Sequence, residues 1–340
     1  MGEHHSAGAE IIGAPEVFIA AAAERTRRIR LGTGVVSLPY HHPLMVADRM
    51  VFLDHLTKGR IMLGVGPGAL PSDAAMMGIE PDRQRTMMEE ALEAIVALLT
   101  SDEPVTRDAG WFALRNARLQ LSPFQRPCFE LAVAALVSPA GPRAAGRFGT
   151  GLLSIGATSS GGFDVLANHW KVAEERAAAH GTSVDRRRWR LVGPMHLAET
   201  DAAARKDVEF GLADWVAYFR HVAALPLAPE TDDSAEIVDA LNASGFAVIG
   251  TPDAAVAQIR RLLDQSGGFG TYLLMAHDWA DPEATLRSYE LFARSVMPAF
   301  QGSAVRAVAS RDWAAANRAR FGASAAGAVA KAVQDHYADR

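Results

Sequence analysis

Between residues 14 and 300, short apolar runs alternate with stretches whose apolar positions recur at the 3.6-residue spacing of a helix face. Pro15 stands where a first helical turn accepts proline, and strong helix formers follow it to Arg25. Residues 29–38 are rich in β-branched side chains and end at Pro39, which predicts a buried strand. Pro43 opens a helix whose face carries Val46, Met50, Leu53 and Leu56, and Lys58 and Gly59 close it. Residues 60–66 read as a second strand. A loop from Leu70 follows, then a helix from about Arg83 with a stripe at Met88, Ala91, Leu92, Ile95 and Leu99.

Further strands are predicted at 130–135, 151–155, 189–197 and 271–276. Helices are predicted at 142–147, 163–180, 251–267 and 281–297, with Thr251 and Asp281 as N-caps. A less regular helical insertion fills 201–245, and the Ala-rich tail over 301–340 reads as a helical extension. Nearly continuous apolar strands alternating with helices call for a parallel sheet buried on both faces. The number of units favours an α/β fold of the closed (β/α)8 TIM barrel type, one domain over 1–300. Six strands are clear, with a stump at Met1–Glu3, so a barrel of eight lacks its first strand and most of its second.

Composition narrows the class. Lys and Arg number 34 against 39 Asp and Glu, with both signs mixed along the chain, which disfavours a nucleic-acid surface or a polybasic membrane surface. No apolar run is long enough to span a bilayer. The first ten residues lack the basic and apolar regions of a signal peptide. Cys128 is the single cysteine, which excludes an internal disulfide framework and a cysteine-rich zinc site. A reduced, cytoplasmic compartment is expected.

Several segments carry chemistry. Glu3, His4 and His5 stand at a strand's C-terminal end, where barrel enzymes keep their reactive groups and an imidazole can shuttle protons. The competing reading is a frayed terminus. His41 and His42 follow the next strand, but no carboxylate-and-His set at a recognised ligand spacing accompanies them, so no metal is expected. Gly64, Gly66 and Ala69 formally match a dinucleotide fingerprint; the loop after Leu70 and the missing acidic residue at a second strand end argue against it. These glycines suit close approach of a flat ring. Asp73 either orients a ligand or stabilises a turn. Ser138 and Gly141 lie between a strand and a helix, as a phosphate cradle or an ordinary cap. Arg85 is either the countercharge to such a phosphate or a helix-face residue paired with Glu89. The 156–162 loop extends the same rim. Met87 and Met88 read as core filler, Met76 and Met77 as pocket lining.

Taken together, the segments resemble the bacterial luciferase-like flavin-dependent monooxygenases, in particular their limonene monooxygenase-like branch. The carrying residues are Glu3–His5, Leu31–Pro39 with His42 and Pro43, Leu53–Arg60 running into Gly64–Gly68, Arg85 with Glu89, Ile249–Pro252 and Ser295–Pro298. The resemblance implies a barrel binding dissociable, reduced FMN at its C-terminal mouth. It places Gly34 and Val35 against the isoalloxazine ring, where the family has a non-prolyl cis peptide. Ser138, Gly141 and Arg85 match the phosphate-binding positions, and His4 matches the family's catalytic histidine. Gly66 stands where luciferase carries a reactive-site cysteine, so light emission is not implied.

The implied reaction is oxygenation of a small apolar substrate by O2 through a C4a-(hydro)peroxyflavin, with FMN reduced by a separate NAD(P)H:flavin reductase. The family also implies a homodimer. Two other readings remain: a deazaflavin-coenzyme-dependent oxidoreductase of the same fold, and a non-catalytic barrel subunit. Family members carry a strand, a helix and most of a second strand ahead of the Glu-His-His motif, so an N-terminally incomplete barrel is expected.

Overall fold

The computed structural model of the chain describes residues 1–223, 229–303 and 305–338. Its strands are β1 (Leu31–Gly32), β2 (Val36–Ser37), β3 (Ile61–Gly66), β4 (Val105–Asp108), β5 (Ala113–Ala117), β6 (Glu130–Ala135), β7 (Gly151–Ser154), β8 (Trp189–Gly193), β9 (Met195–Leu197), β10 (Val248–Gly250) and β11 (Thr271–Leu274). A parallel sheet of seven strands runs in the order β1-β3-β6-β7-β8-β11, with β2 also on β3. Helices connect these strands, as parallel pairing requires.

The sheet's first edge is extended by the N-terminus. The Met1 ammonium donates to Gly32 O at 2.9 Å, and Gly34 N donates to Met1 O at 2.6 Å, the hydrogen-bond step of a parallel ladder. The stump expected at Met1–Glu3 therefore lies beside the next strand. Among the described residues β11 pairs with β8 alone, so the hydrogen-bonded ring of eight is not closed.

Several predicted elements divide. Residues 29–38 form two short strands on either side of the cis Gly34–Val35 peptide, and the pairing with β3 slips by one residue between Gly32 and Val36. The predicted strand 189–197 breaks at Pro194, which has no N–H to give to a ladder; β8 stays in the main sheet and β9 pairs with β10. The predicted helix 163–180 is two helices, Ser160–Asp164 and Leu166–His180. The loop expected after Leu70 holds the helix Pro71–Met76 with proline at its start. Asp281 caps its helix through Ala284 N at 2.8 Å, whereas Thr251 makes no side-chain cap bond. The helix from Pro282 passes into a π turn, Phe292–Val296, which contains Arg294, four residues before Pro298, where a proline ring displaces the helical carbonyl.

The core is the layer between the sheet and its helices, including Leu63, Val133, Leu152 and Leu191 with Met88, Leu92 and Ile95. Trp170 stacks on Trp189 at 5.0 Å, and Trp189 Nε1 donates to Ser154 Oγ at 3.0 Å. The insertion builds a second apolar cluster around Val208, Leu212, Leu241, Phe246 and Trp279. The helices Val305–Ala316 and Arg318–Ala338 contain no buried side chain. Among the described residues no helix is long and apolar enough to cross a membrane.

Candidate active site

The C-terminal ends of β2 and β3, with the N-terminal edge segment, bring together side chains that are far apart in sequence. Glu3 is 2% exposed. Its Oε1 accepts from His5 Nε2 at 2.9 Å and His41 Nε2 at 2.6 Å, and its Oε2 accepts from Ser37 N at 2.7 Å. Burial pushes the Glu3 carboxyl pKa up, but His41, the Ser37 N–H and His5 outweigh it and leave it below the usual value.

His4 sits between two carboxylates. Its Nδ1 donates to Asp73 Oδ2 at 3.1 Å, and its Nε2 forms an ion pair with Glu10 Oε2 at 2.7 Å. A neutral imidazole carries no charge and one N–H, so pairing with both carboxylates calls for the imidazolium. Burial opposes that charge; Glu10 and Asp73 prevail and raise the His4 pKa above its ordinary value. Asp73, 1% exposed, is held in turn by His5 N at 3.1 Å and Ser6 Oγ at 2.5 Å. Its pKa is lowered despite burial, through Ser6, His4 and His5. Beside this group, burial and then the Asp73 charge push the Tyr40 hydroxyl up to about 12. Tyr40 Oη accepts from Gln84 Nε2 at 3.2 Å, and the same amide donates to Pro67 O at 2.9 Å.

The other sequence-predicted residues are placed as follows. Gly34 and Val35 form the bend between β1 and β2. Gly66 ends β3, and a Cβ there would press against Val35 Cγ2. Ser138 is half-buried and its Oγ accepts from Ala140 N at 3.3 Å, at the start of the helix Ala140–Phe148. Gly141 lies in that helix's first turn, where a Cβ would run into Ala134 O, so glycine lets the helix start close against β6. Arg85 is exposed in the first turn of the helix Gln84–Thr100, which packs on Ala140–Phe148. The alternative pairing of Arg85 with Glu89 is not seen: Glu89 faces Arg147 at 3.9 Å, across the contact between these two helices.

His42 lies outside the cluster, with Nε2 3.4 Å from Ala113 O. Met87 and Met88 are buried, whereas Met76 and Met77 are exposed. Among the described residues no three His, Cys, Asp or Glu side chains converge as a metal site. Sequence reading missed Glu10, Tyr40 and Gln84. Glu10 had one available signal, an acidic residue in the short segment between the His pair and Pro15. Gln84 is marked only by neighbouring Arg85, the more conspicuous side chain.

The profile of the family described as luciferase-like monooxygenase matches residues 1–268. The chain is 50% identical over 303 residues to limonene 1,2-monooxygenase from Rhodococcus erythropolis, covering 89% of this chain and 77% of that protein. It is 46% identical over 321 residues to 4-hydroxyprotoasukamycin monooxygenase from Streptomyces nodosus subsp. asukaensis, covering 93% and 85%. Among solved structures, the oxygenating constituent of 3,6-diketocamphane monooxygenase from the Pseudomonas putida CAM plasmid, a type II Baeyer-Villiger enzyme in complex with FMN, superposes with a TM-score of 0.68. That match has 26% identity and covers 87% of each chain. On the matched profile and these identities, the chain belongs to the luciferase-like monooxygenase family.

Proposed function

We propose that the chain is a monooxygenase that uses reduced FMN and O2 to oxygenate a small, apolar organic substrate. The observation that carries this reading is the doubly paired His4 imidazolium, held by buried Asp73 at the strand ends that also present Gly34 and Val35. The luciferase-like (β/α)8 barrel is the frame for the site, supported by the parallel sheet and its Met1 edge.

The residues fit the cofactor. Glycine at 66 leaves room for Val35 beside the proposed ring site, and glycine at 141 lets the helix Ala140–Phe148 start against β6. Ser138 and the Gly141 N–H stand at a helix start and Arg85 at the start of the helix packed on it, a set suited to a phosphate. Leu136 and Val137, 41% and 52% exposed just beyond β6, offer apolar surface for a ring or an apolar substrate. Bound reduced FMN supplies the two electrons by which one atom of O2 enters the substrate and the other leaves as water. His4 holds the proton needed at the reacting oxygen, Asp73 fixes its ring through Nδ1, and the apolar rim excludes water.

No second nucleotide-binding unit is read in the sequence, which supports reduction of FMN by a separate NAD(P)H:flavin reductase. Val17, Phe18, Met45, Phe52 and Leu56 are exposed on two helices that pack together, Pro15–Arg25 and Pro43–Thr57, and support a homodimer. The lone cysteine accords with a cytoplasmic setting. The test is anaerobic titration with reduced FMN, followed by 18O2 and a small terpene such as limonene. The expected result is binding of reduced FMN and one 18O atom in the product. Absence of binding overturns the reading, as does tighter binding of a reduced deazaflavin with hydride transfer and no oxygen uptake.

A further inference from the structure

The two carboxylates on His4 are not equivalent. Asp73 is buried in the helix Pro71–Met76 and is fixed by donors from Ser6 and the His5 backbone as well as by His4. Glu10 belongs to the N-terminal loop, which His4 N closes onto Ile12 O at 3.3 Å. Its side chain is 66% exposed, and its one ion pair among the described residues is with His4 Nε2 at 2.7 Å. One carboxylate is therefore locked and the other is free to leave.

We propose that Glu10 is a positioning residue that occupies His4 Nε2 until a ligand takes that nitrogen, and that it then carries the His4 proton to and from solvent. The assignment rests on reading His4 as the proton-bearing group of the site. With Glu10 in place both ring nitrogens are anchored, so the imidazolium is aimed before any ligand arrives. When Glu10 swings outward, Nε2–H is presented to the ligand while Nδ1 stays on Asp73, and the ring does not turn. Glu10, alone of the two, reaches bulk water, so replacement of a spent proton passes through its carboxylate.

Other titratable groups around His4 are Glu3 and His5 on its own segment, Tyr40 and His41 after β2, and Tyr218 on the helix Leu212–His221. Burial, then the charges of Glu10 and Asp73, raise the Tyr218 pKa, so its hydroxyl stays protonated and does not compete for the proton.

The test is histidine-selective NMR titration of the protein without cofactor, with the His4 signal assigned by His4→Gln. Glu10→Gln is expected to lower the proton affinity of His4 roughly tenfold, and Glu10→Asp to restore most of it. Circular dichroism is expected to show unchanged folding, because the Glu10 side chain is exposed. In turnover, Glu10→Gln is expected to lower kcat several-fold with KM unchanged, and to move the alkaline limb of the pH profile downward. An unshifted His4 in Glu10→Gln, or an unchanged pH profile, overturns the proposal. A shifted His4 in a protein that fails to bind reduced FMN overturns the proposed function and leaves the Glu10 assignment standing.

Discussion

His41 Nε2 lies 2.6 Å from Glu3 Oε1, and the opposite oxygen of that carboxylate takes the Ser37 N–H at 2.7 Å. One buried side chain thus ties the N-terminal sheet edge to β2 and to the turn Leu38–Tyr40, and so fixes where the neighbouring His4 is presented. Glu3→Gln keeps the shape but turns an amide N–H toward existing donors. The expected cost is about 2–4 kcal/mol in urea unfolding at pH 7, the range for an uncompensated buried polar group. The folded Glu3 pKa lies below its ordinary 4.5, so its contribution is present above 4.5 and fades as pH falls through the folded value. The gap between wild type and Glu3→Gln should therefore close in acid. A gap below 1 kcal/mol at pH 7 would remove Glu3 from the framework.

The pH signature of His4 has the opposite sign. Its burial disfavours protonation, but Glu10 and Asp73 raise its folded pKa above the ordinary 6.5. Its stabilising contribution is therefore complete below pH 6.5 and is lost as pH rises through the folded value. Urea unfolding of wild type and His4→Gln at pH 6 and pH 8.5 checks this. The expected result is a stability difference that is larger at pH 6; a difference that grows with pH refutes the imidazolium.

Arg85 separates phosphate binding from folding. It is exposed and makes no ion pair among the described residues, so Arg85→Ala should change stability by no more than about 0.5 kcal/mol. A charge-assisted contact to phosphate is worth about 1.5–3 kcal/mol, so affinity for reduced FMN should fall at least about tenfold. Affinity for reduced riboflavin, which has no phosphate, should be unchanged. Anaerobic fluorescence titration measures both, and equal losses would dissociate Arg85 from the phosphate.

These residues also show what was legible in the chain. Apolar runs such as Ile61–Gly66 and Glu130–Ala135 announce their strands because parallel strands are buried on both faces. The cis peptide at Gly34–Val35, expected from the family resemblance, is present. The break at Pro194 was visible in principle, as a proline inside an apolar run, yet continuous hydrophobicity masked it. The short β10 carries too few residues for a periodic signal. Side-chain partners were the least legible. Glu89 had Arg85 in reach along its own helix, yet faces Arg147 because two helices pack. His4 and Asp73, 69 positions apart, meet only once β3 and its following helix are in place.

The C-terminal helices offer a direct test of domain limits. Val305–Ala316 and Arg318–Ala338 bury no side chain, and their aromatic contact, Trp313 with Phe321 at 5.1 Å, is internal to the pair. Deleting everything after Gln301 should therefore shift the melting temperature by no more than about 2 °C, since a larger shift implies a loss near 1 kcal/mol. Differential scanning fluorimetry is sufficient. A fall well beyond that would mean the extension supports the barrel-like body.

Cys128 should be chemically silent in the folded protein. Burial, followed by the charge of Asp54, pushes its thiol pKa from the ordinary 9.0 up to about 12. Thiolate is the reacting species, so a thiol pushed up to about 12 has a far smaller reactive fraction at pH 8 than in the unfolded chain. A chromogenic disulfide added to native protein should react at least about a hundredfold more slowly than with protein in concentrated urea, allowing for the higher nucleophilicity of a high-pKa thiolate. The comparison uses one chain with one cysteine, so the signal needs no assignment. Equal rates in the two states would show that the segment around Phe129 opens without global unfolding, and would bring the lone thiol into any account of the protein's sensitivity to oxidation.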